Sequence, residues 1–135
     1  MNKPIEANRS DRPRSATAGS GTRPSVSARF ENLARETSVE GWDDEGGAAI
    51  AREQWDAARR LVEKIRHDAP GTPDVYPSAC GDGSIHLRWS DASRALDAEV
   101  AGGEYHWCVR TDEVRERDQS SDALDLMRAL RKLFP

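Results

Sequence analysis

Three sets of side chains in this 135-residue sequence have the types and spacing from which a chemical site is built. The first is the acidic run Asp43-Asp44-Glu45, inside the decapeptide GWDDEGGAAI. A hard cation such as Ca²⁺ needs several oxygens converging on one point, usually from alternating positions around a glycine turn. Three adjacent carboxylates cannot all converge, and no D-x-D-x-D-G spacing occurs. The expected role is therefore local. Asp43 caps a turn through its side chain, Gly46 and Gly47 accept positive φ, and Asp44 and Glu45 stay exposed.

The second set is Cys80, His86, His106 and Cys108, two thiols and two imidazoles. Zinc takes that combination, but no C-x₂-C or H-x₃-H spacing is present. In a meander, one strand lies between the two histidines, a separation of about 9–10 Å. Their nitrogens must each come within about 2 Å of a zinc ion. No metal and no cofactor are expected. The third set is what a sheet would show to water: His86 and Arg88, then Asp97 and Glu99, then His106, Cys108 and Arg110. His86, Glu99 and His106 have the groups for general acid–base work, as in a hydrolase. Cross-strand charge pairing on any solvated sheet produces the same pattern, and it is the favoured account.

The elements that position these groups follow from periodicity. Phe30 and Leu33 lie one turn apart in SARFENLARETS, which predicts a short helix with Ser27 as its N-cap. Trp55, Ala58, Leu61, Val62 and Ile65 recur at spacings of three and four, predicting one long amphipathic helix over Ala49–Asp68, stopped by Ala-Pro-Gly at 69–71. The period then changes to two, first over Val75, Pro77 and Ala79 and then over Ile85, Leu87 and Trp89. It continues over Leu96, Ala98 and Val100 and over Tyr105, Trp107 and Val109. Asp82-Gly83 and Gly102-Gly103 read as hairpin turns. Residues 111–120 read as a charged loop or an extension of the last strand. A final helix starts at Ser121 or Asp122 and carries the stripe Leu126, Met127, Leu130 and Leu133. The expected fold is a two-layer α+β domain over 27–135, an antiparallel β-meander of three to four strands. One long helix covers it, with short N- and C-terminal helices at either end.

Charge is unevenly placed. Residues 1–30 hold six Lys/Arg against two Asp/Glu, and residues 31–135 hold 14 against 22. Residues 1–26 are rich in Pro, Ser, Gly and Arg and are expected to form a disordered basic arm. The acidic body argues against a nucleic-acid-binding domain, leaving only weak contact through the arm. No apolar run approaches the roughly 20 residues of a membrane helix. MNKPIEANRSDRPRS has no apolar core of a secretory leader, and two cysteines make no disulfide framework. The cytoplasm is the expected compartment. Four tryptophans load the folded part. Trp55, Trp89 and Trp107 fall on apolar stripes, and Trp42 falls in the acidic loop.

Gly41-Trp42-Asp43 with Gly46 or Gly47 and Ala48, then a helix, leads to Pro73-Asp74-Val75-Tyr76-Pro77, Gly81 to Gly83, and Ile85-His86-Leu87-Arg88-Trp89. This order of elements resembles a set of short, uncharacterised bacterial proteins with a G-W-D-x-x-G-A element, over roughly residues 38–110. The chain departs from their pattern where Asp44 and Glu45 stand in place of a glycine and an aromatic. It departs again at Ala49-Ile50-Ala51, in place of a polar helix cap. The resemblance transfers no activity, and implies kinship with partners in small two-gene bacterial modules. The expected function is a non-enzymatic protein-interaction module, in its most concrete form an antitoxin- or immunity-type partner that binds a basic protein. Trp42, Asp43, Asp44, Glu45, Arg88 and Arg110 are its candidate binding residues. The alternative is a hydrolase using His86, Glu99 and His106.

Overall fold

The structure is a computed structural model that describes residues 25–135. Nearly all of the arm expected over 1–26 therefore lies outside the described residues. Ser25 Oγ accepts the N–H of Ala28 at 3.1 Å and starts α1 (Val26–Glu36), two residues before the cap expected at Ser27. The earlier cap brings Val26 against the core and turns Phe30 and Ala34 inward. Helix α2 (Arg52–Asp68) begins later than expected, because Ala48–Ala51 has another task. Ala48 N–H bonds to Gly81 O at 2.8 Å and Ile50 N–H to Thr37 O at 2.9 Å, and the Ile50 side chain is fully buried. Ala51, at the N-cap, has no side-chain oxygen to offer. The Gln54 carbonyl accepts the Ala51 N–H at 2.9 Å instead.

Five antiparallel strands follow, in spatial order β1-β2-β3-β4-β5. They are β1 (Tyr76–Ala79), β2 (Ile85–Ser90), β3 (Ala95–Ala101), β4 (Glu104–Arg110) and β5 (Arg115–Ser120). The chain ends in α3 (Ala123–Leu133), capped by Asp122, whose carboxylate accepts the N–H of Leu124. Gly102 and Gly103 both take positive φ, as a two-residue primed turn requires. The α+β class and the meander stand as expected, and the strand count is five, not three to four. The stretch over 111–120, read as a charged loop or an extension of the last strand, is a turn followed by a separate strand, β5. Its chain reversal is made by Thr111, whose N–H bonds Val114 O and whose hydroxyl accepts from Glu113 and Val114.

Register puts Ile85, Leu87 and Trp89 opposite Val100, Ala98 and Leu96, which in turn face Tyr105, Trp107 and Val109. This dry face joins one core with residues of all three helices, so the cover is three helices and not one. Phe30 meets Trp55 edge to face, centroids 5.9 Å apart. The Trp55 indole donates to Thr37 Oγ1 at 2.9 Å, and that hydroxyl donates to Leu33 O at 2.7 Å. Thr37 is 1% exposed, so α1 and α2 are joined by a buried polar link with both partners satisfied. No helix among the described residues is long and apolar enough to cross a membrane.

Candidate functional site

The acidic loop is a built turn. Asp43 Oδ1 accepts the N–H of Glu45 at 3.0 Å and of Gly47 at 2.7 Å. These amides, Glu45's first, hold the Asp43 carboxyl below its ordinary range. Gly41 N–H closes the loop on Gly47 O, and the half-buried Trp42 indole donates to Ala48 O at 2.8 Å. Gly46 has the expected positive φ, but the second such residue is Asp44 (φ 62), not Gly47. Asp44 is the one non-glycine with positive φ among the described residues. Gly47 is required for a different reason. A Cβ there would lie 2.7 Å from the Asp43 carboxylate.

The loop is fastened to the β1–β2 turn by the Ala48–Gly81 bond. Asp82 stands at the tip of that turn and accepts both the hydroxyl of Ser84, at 2.6 Å, and its N–H. Ser84, 3% exposed, also lies 2.7 Å from Glu99 Oε2. The hydroxyl has one proton to offer two carboxylates. The Ser84 hydroxyl, then its amide, holds Asp82 below the ordinary carboxylate range. Cys80 Sγ and carboxylate oxygens of Asp82 and Glu99 lie within 4.8 Å of one another. If the fold holds a cation among the described residues, this trio offers the ligands, whereas the Cys80/His86/His106/Cys108 set is divided between the turn and the sheet. Sequence spacing hides the trio, because Glu99 reaches the turn only through the β2–β3 register.

On the solvated sheet face, Ser78, His86, Glu99, His106 and Gln119 form one cross-strand row. The row opens on a surface concavity of about 610 Å³ that His86, Glu99 and His106 help line. Their polar contacts diverge: His86 lies beside Asp97, Glu99 accepts from Ser84, and His106 lies beside Glu104. The centre of the face is Asp97, 18% exposed at its side chain. Arg88 Nη1 donates to both its oxygens at 2.9 and 3.0 Å, and Arg110 Nη2 donates to Oδ2 at 2.9 Å. The two arginines offered as binding residues are thus first of all counter-ions of one half-buried carboxylate. His86 Nε2 lies 3.2 Å from Asp97 Oδ1 as a charge contact without hydrogen-bond alignment, while Ser78 Oγ and His86 Nδ1 share a hydrogen bond of 3.3 Å. Serine, imidazole and carboxylate stand in the order that a nucleophile, its base and the group orienting the base require. The sequence places Asp97 on the solvated face but outside the acid–base set, and does not point to Ser78. Ser78 directly opposite His86, and Asp97 diagonal to it, come together only once β1, β2 and β3 are in register.

The turn end of the sheet carries Asp82, Glu99 and Glu104 together with the loop carboxylates Asp43, Asp44 and Glu45, while the opposite end mixes Arg88, Arg94, Arg110 and Arg115 with Asp91, Asp112 and Glu113. In comparisons with known proteins, no family model, no curated protein and no solved structure matches the chain.

Proposed function

We propose that this domain is a non-enzymatic protein-interaction module that holds a basic partner against its acidic end. The observation that carries this is the Ala48–Gly81 bond, which joins the loop of Asp43, Asp44 and Glu45 to the turn of Asp82 and, through Ser84, to Glu99. The loop and the sheet face are therefore parts of one surface, continuous at this corner. Asp44 and Glu45 are exposed and have no structural bond through their carboxylates among the described residues, which leaves both free for a partner's lysines or arginines. An excess of acid over base in residues 31–135 supports the same partner chemistry, since complementary fields raise association rates and exclude like-charged competitors. The most concrete form is an antitoxin- or immunity-type partner of a basic effector, in line with the resemblance to short bacterial proteins. The test is stoichiometric capture from native lysate by the full chain and by a variant carrying Asp44→Asn and Glu45→Gln. A basic partner retained by the first and weakened about tenfold in the second, at unchanged thermal stability, is the expected result. Absence of any stoichiometric partner counts against the module.

A second reading, a hydrolase, is favoured by the Ser78–His86–Asp97 chain and replaces Glu99 and His106 with Ser78 and Asp97 in the catalytic set. In this reading Ser78 is the nucleophile and His86 its base, with Asp97 the carboxylate beside the imidazole. Hydrolysis of an activated ester that is lost in Ser78→Ala and in His86→Gln supports it. Hydrolysis equal in the wild type and both variants removes it.

A further inference from the structure

Strand β5 forms one edge of the sheet, and its charges are sorted by face. Register with β4 places Arg115, Arg117 and Gln119 on the solvated face, opposite Arg110, Cys108 and His106. Glu116, Asp118 and Ser120 lie on the helix face, opposite Val109, Trp107 and Tyr105. No charge on β5 has an opposite charge across from it on β4, and Arg115 is set against Arg110. None of the four charged residues of β5 takes part in an ion pair among the described residues. Beside the strand, on the helix face, runs a groove of about 690 Å³ between β5 and α3. It exists because β5 contributes no apolar side chain, so α3 seats its stripe over β4. Its apolar lining includes Trp107, Val109, Ala129 and Leu133, while Arg128 and Lys132 stand on the α3 side.

A protective edge needs only charge, of either sign, to discourage aggregation. Sorting by face does more, because it sets which strand can pair there. In an antiparallel two-fold pairing with the β5 of a second copy, the two sheets face the same way. That sets arginine against arginine on one face and acid against acid on the other, which is destabilising. A strand from another protein with acidic residues on the solvated side and basic residues on the helix side meets opposite charge at each of the four charged positions of β5. Long basic side chains suit the helix side. Their stems can lie along the apolar floor and their heads can reach Glu116 and Asp118, on the β5 wall away from Lys132.

We infer that β5 is a docking edge for an extended segment of a partner protein whose residues alternate acidic and basic, added to the sheet as a sixth strand. The loop of Asp44 and Glu45 is fastened at the β1–β2 turn, whereas β5 is the opposite edge of the sheet, four strand spacings or about 19 Å from β1. The two are therefore separable by variant. The test uses the full chain and two fluorescent peptides of equal composition, one alternating glutamate and lysine, the other with the same residues in two blocks. Binding is read by anisotropy, and its location by hydrogen exchange of the Arg115–Ser120 amides. The alternating peptide is expected to bind about tenfold more tightly than the block peptide, from four opposed pairs. It should protect alternate β5 amides and weaken with salt. The exposed double variant R115E/R117E should lose that preference and gain binding to a lysine-only peptide, and E116K/D118K should gain binding to a glutamate-only peptide. Equal binding of the two peptides, or protection elsewhere than β5, overturns the inference. So does concentration-dependent self-protection of β5 with a dimer mass, which would make a second copy the occupant. Loss of a lysate partner in the Asp44/Glu45 variant, with β5 variants unaffected, would leave the acidic-corner module standing while this inference fails.

Discussion

Asp44 holds a conformation in which an L-side chain crowds its own backbone, at a cost of about 1 kcal/mol that glycine does not have. Asp44→Gly is therefore expected to be neutral or to stabilise the fold by up to about 1 kcal/mol in urea unfolding, the relieved strain offset by the chain entropy that glycine adds to the unfolded state. If the same substitution also weakens partner capture, the carboxylate has been kept for binding at the expense of local fit. Gly47 sits in the same loop but answers to sterics. Gly47→Ala pushes a methyl into the Asp43 carboxylate that receives the Gly47 amide, and a loss of roughly 1–3 kcal/mol is expected in the same assay. Thr37→Val tests a buried atom. It keeps the volume but leaves the Trp55 indole without its acceptor, which should cost about 1–3 kcal/mol. Of these residues, the turn-capping role of Asp43 and the half-buried position of Trp42 could be reasoned from composition and order. The φ of Asp44 and the partner of Trp55 could not, since both depend on where Ala48–Ile50 crosses back over Thr37 and Gly81.

At the scale of the element, what could be inferred from sequence followed how dry each surface is. Helix α2 and strands β2, β3 and β4 each bury one face against a common core, so their apolar periods of 3.6 and 2 are carried in the residues themselves. Strand β5 buries neither face, and RERDQS has no apolar residue to reveal an alternation. What makes it a strand is the Thr111 turn and a β4 edge with free backbone groups, both tertiary facts. The same reason hid the solvated-face cluster. Polar residues at period two can be assigned to a face, but Asp97 becomes the hub of Arg88, Arg110 and His86 only when three strands are in register. Helix boundaries moved by two or three residues at α1 and α2 because caps are chosen by which neighbour is buried, Val26 in one case and Ile50 in the other. At α3 the cap is Asp122, one of the two residues expected there. Asp122→Ala should cost about 1 kcal/mol by removing the acceptor for Leu124 N–H, with near-normal helical content retained in far-ultraviolet dichroism.

Across the whole molecule, carboxylates secure the places where the chain reverses, and this makes the fold acid-sensitive in a defined direction. Asp43 fastens the loop before α2, Asp82 the β1–β2 turn, and Asp91 the β2–β3 turn. Each has its pKa lowered in the folded chain, Asp91 to about 2 from an ordinary 3.8, chiefly by the Arg94 guanidinium and then by the Ser93 amide. Arg94 also donates to Leu133 O at 2.7 Å and lies over the Phe134 ring, so the β2–β3 turn is tied to the end of α3. A group whose folded pKa is depressed contributes its full stabilisation above its unfolded pKa. The contribution falls as pH drops below that value and is gone once pH has passed the folded pKa. For Asp91 the window runs from about 3.8 down to about 2, and Asp43 and Asp82 lose their contributions below the ordinary carboxylate range as well. The urea midpoint is therefore expected to be level between neutral pH and about 5, and then to fall steadily as pH goes towards 2. Asp91→Asn should have a lower midpoint at pH 7 and a shallower acid limb, since the amide keeps some turn hydrogen bonding but has no proton to gain. A midpoint that stays level through pH 3 would show that these turns are held by backbone geometry alone. A variant as steep as the parent would place the acid-labile contact at Asp43 or Asp82, where the acidic corner proposed to receive the partner would then be the first part of the fold to loosen.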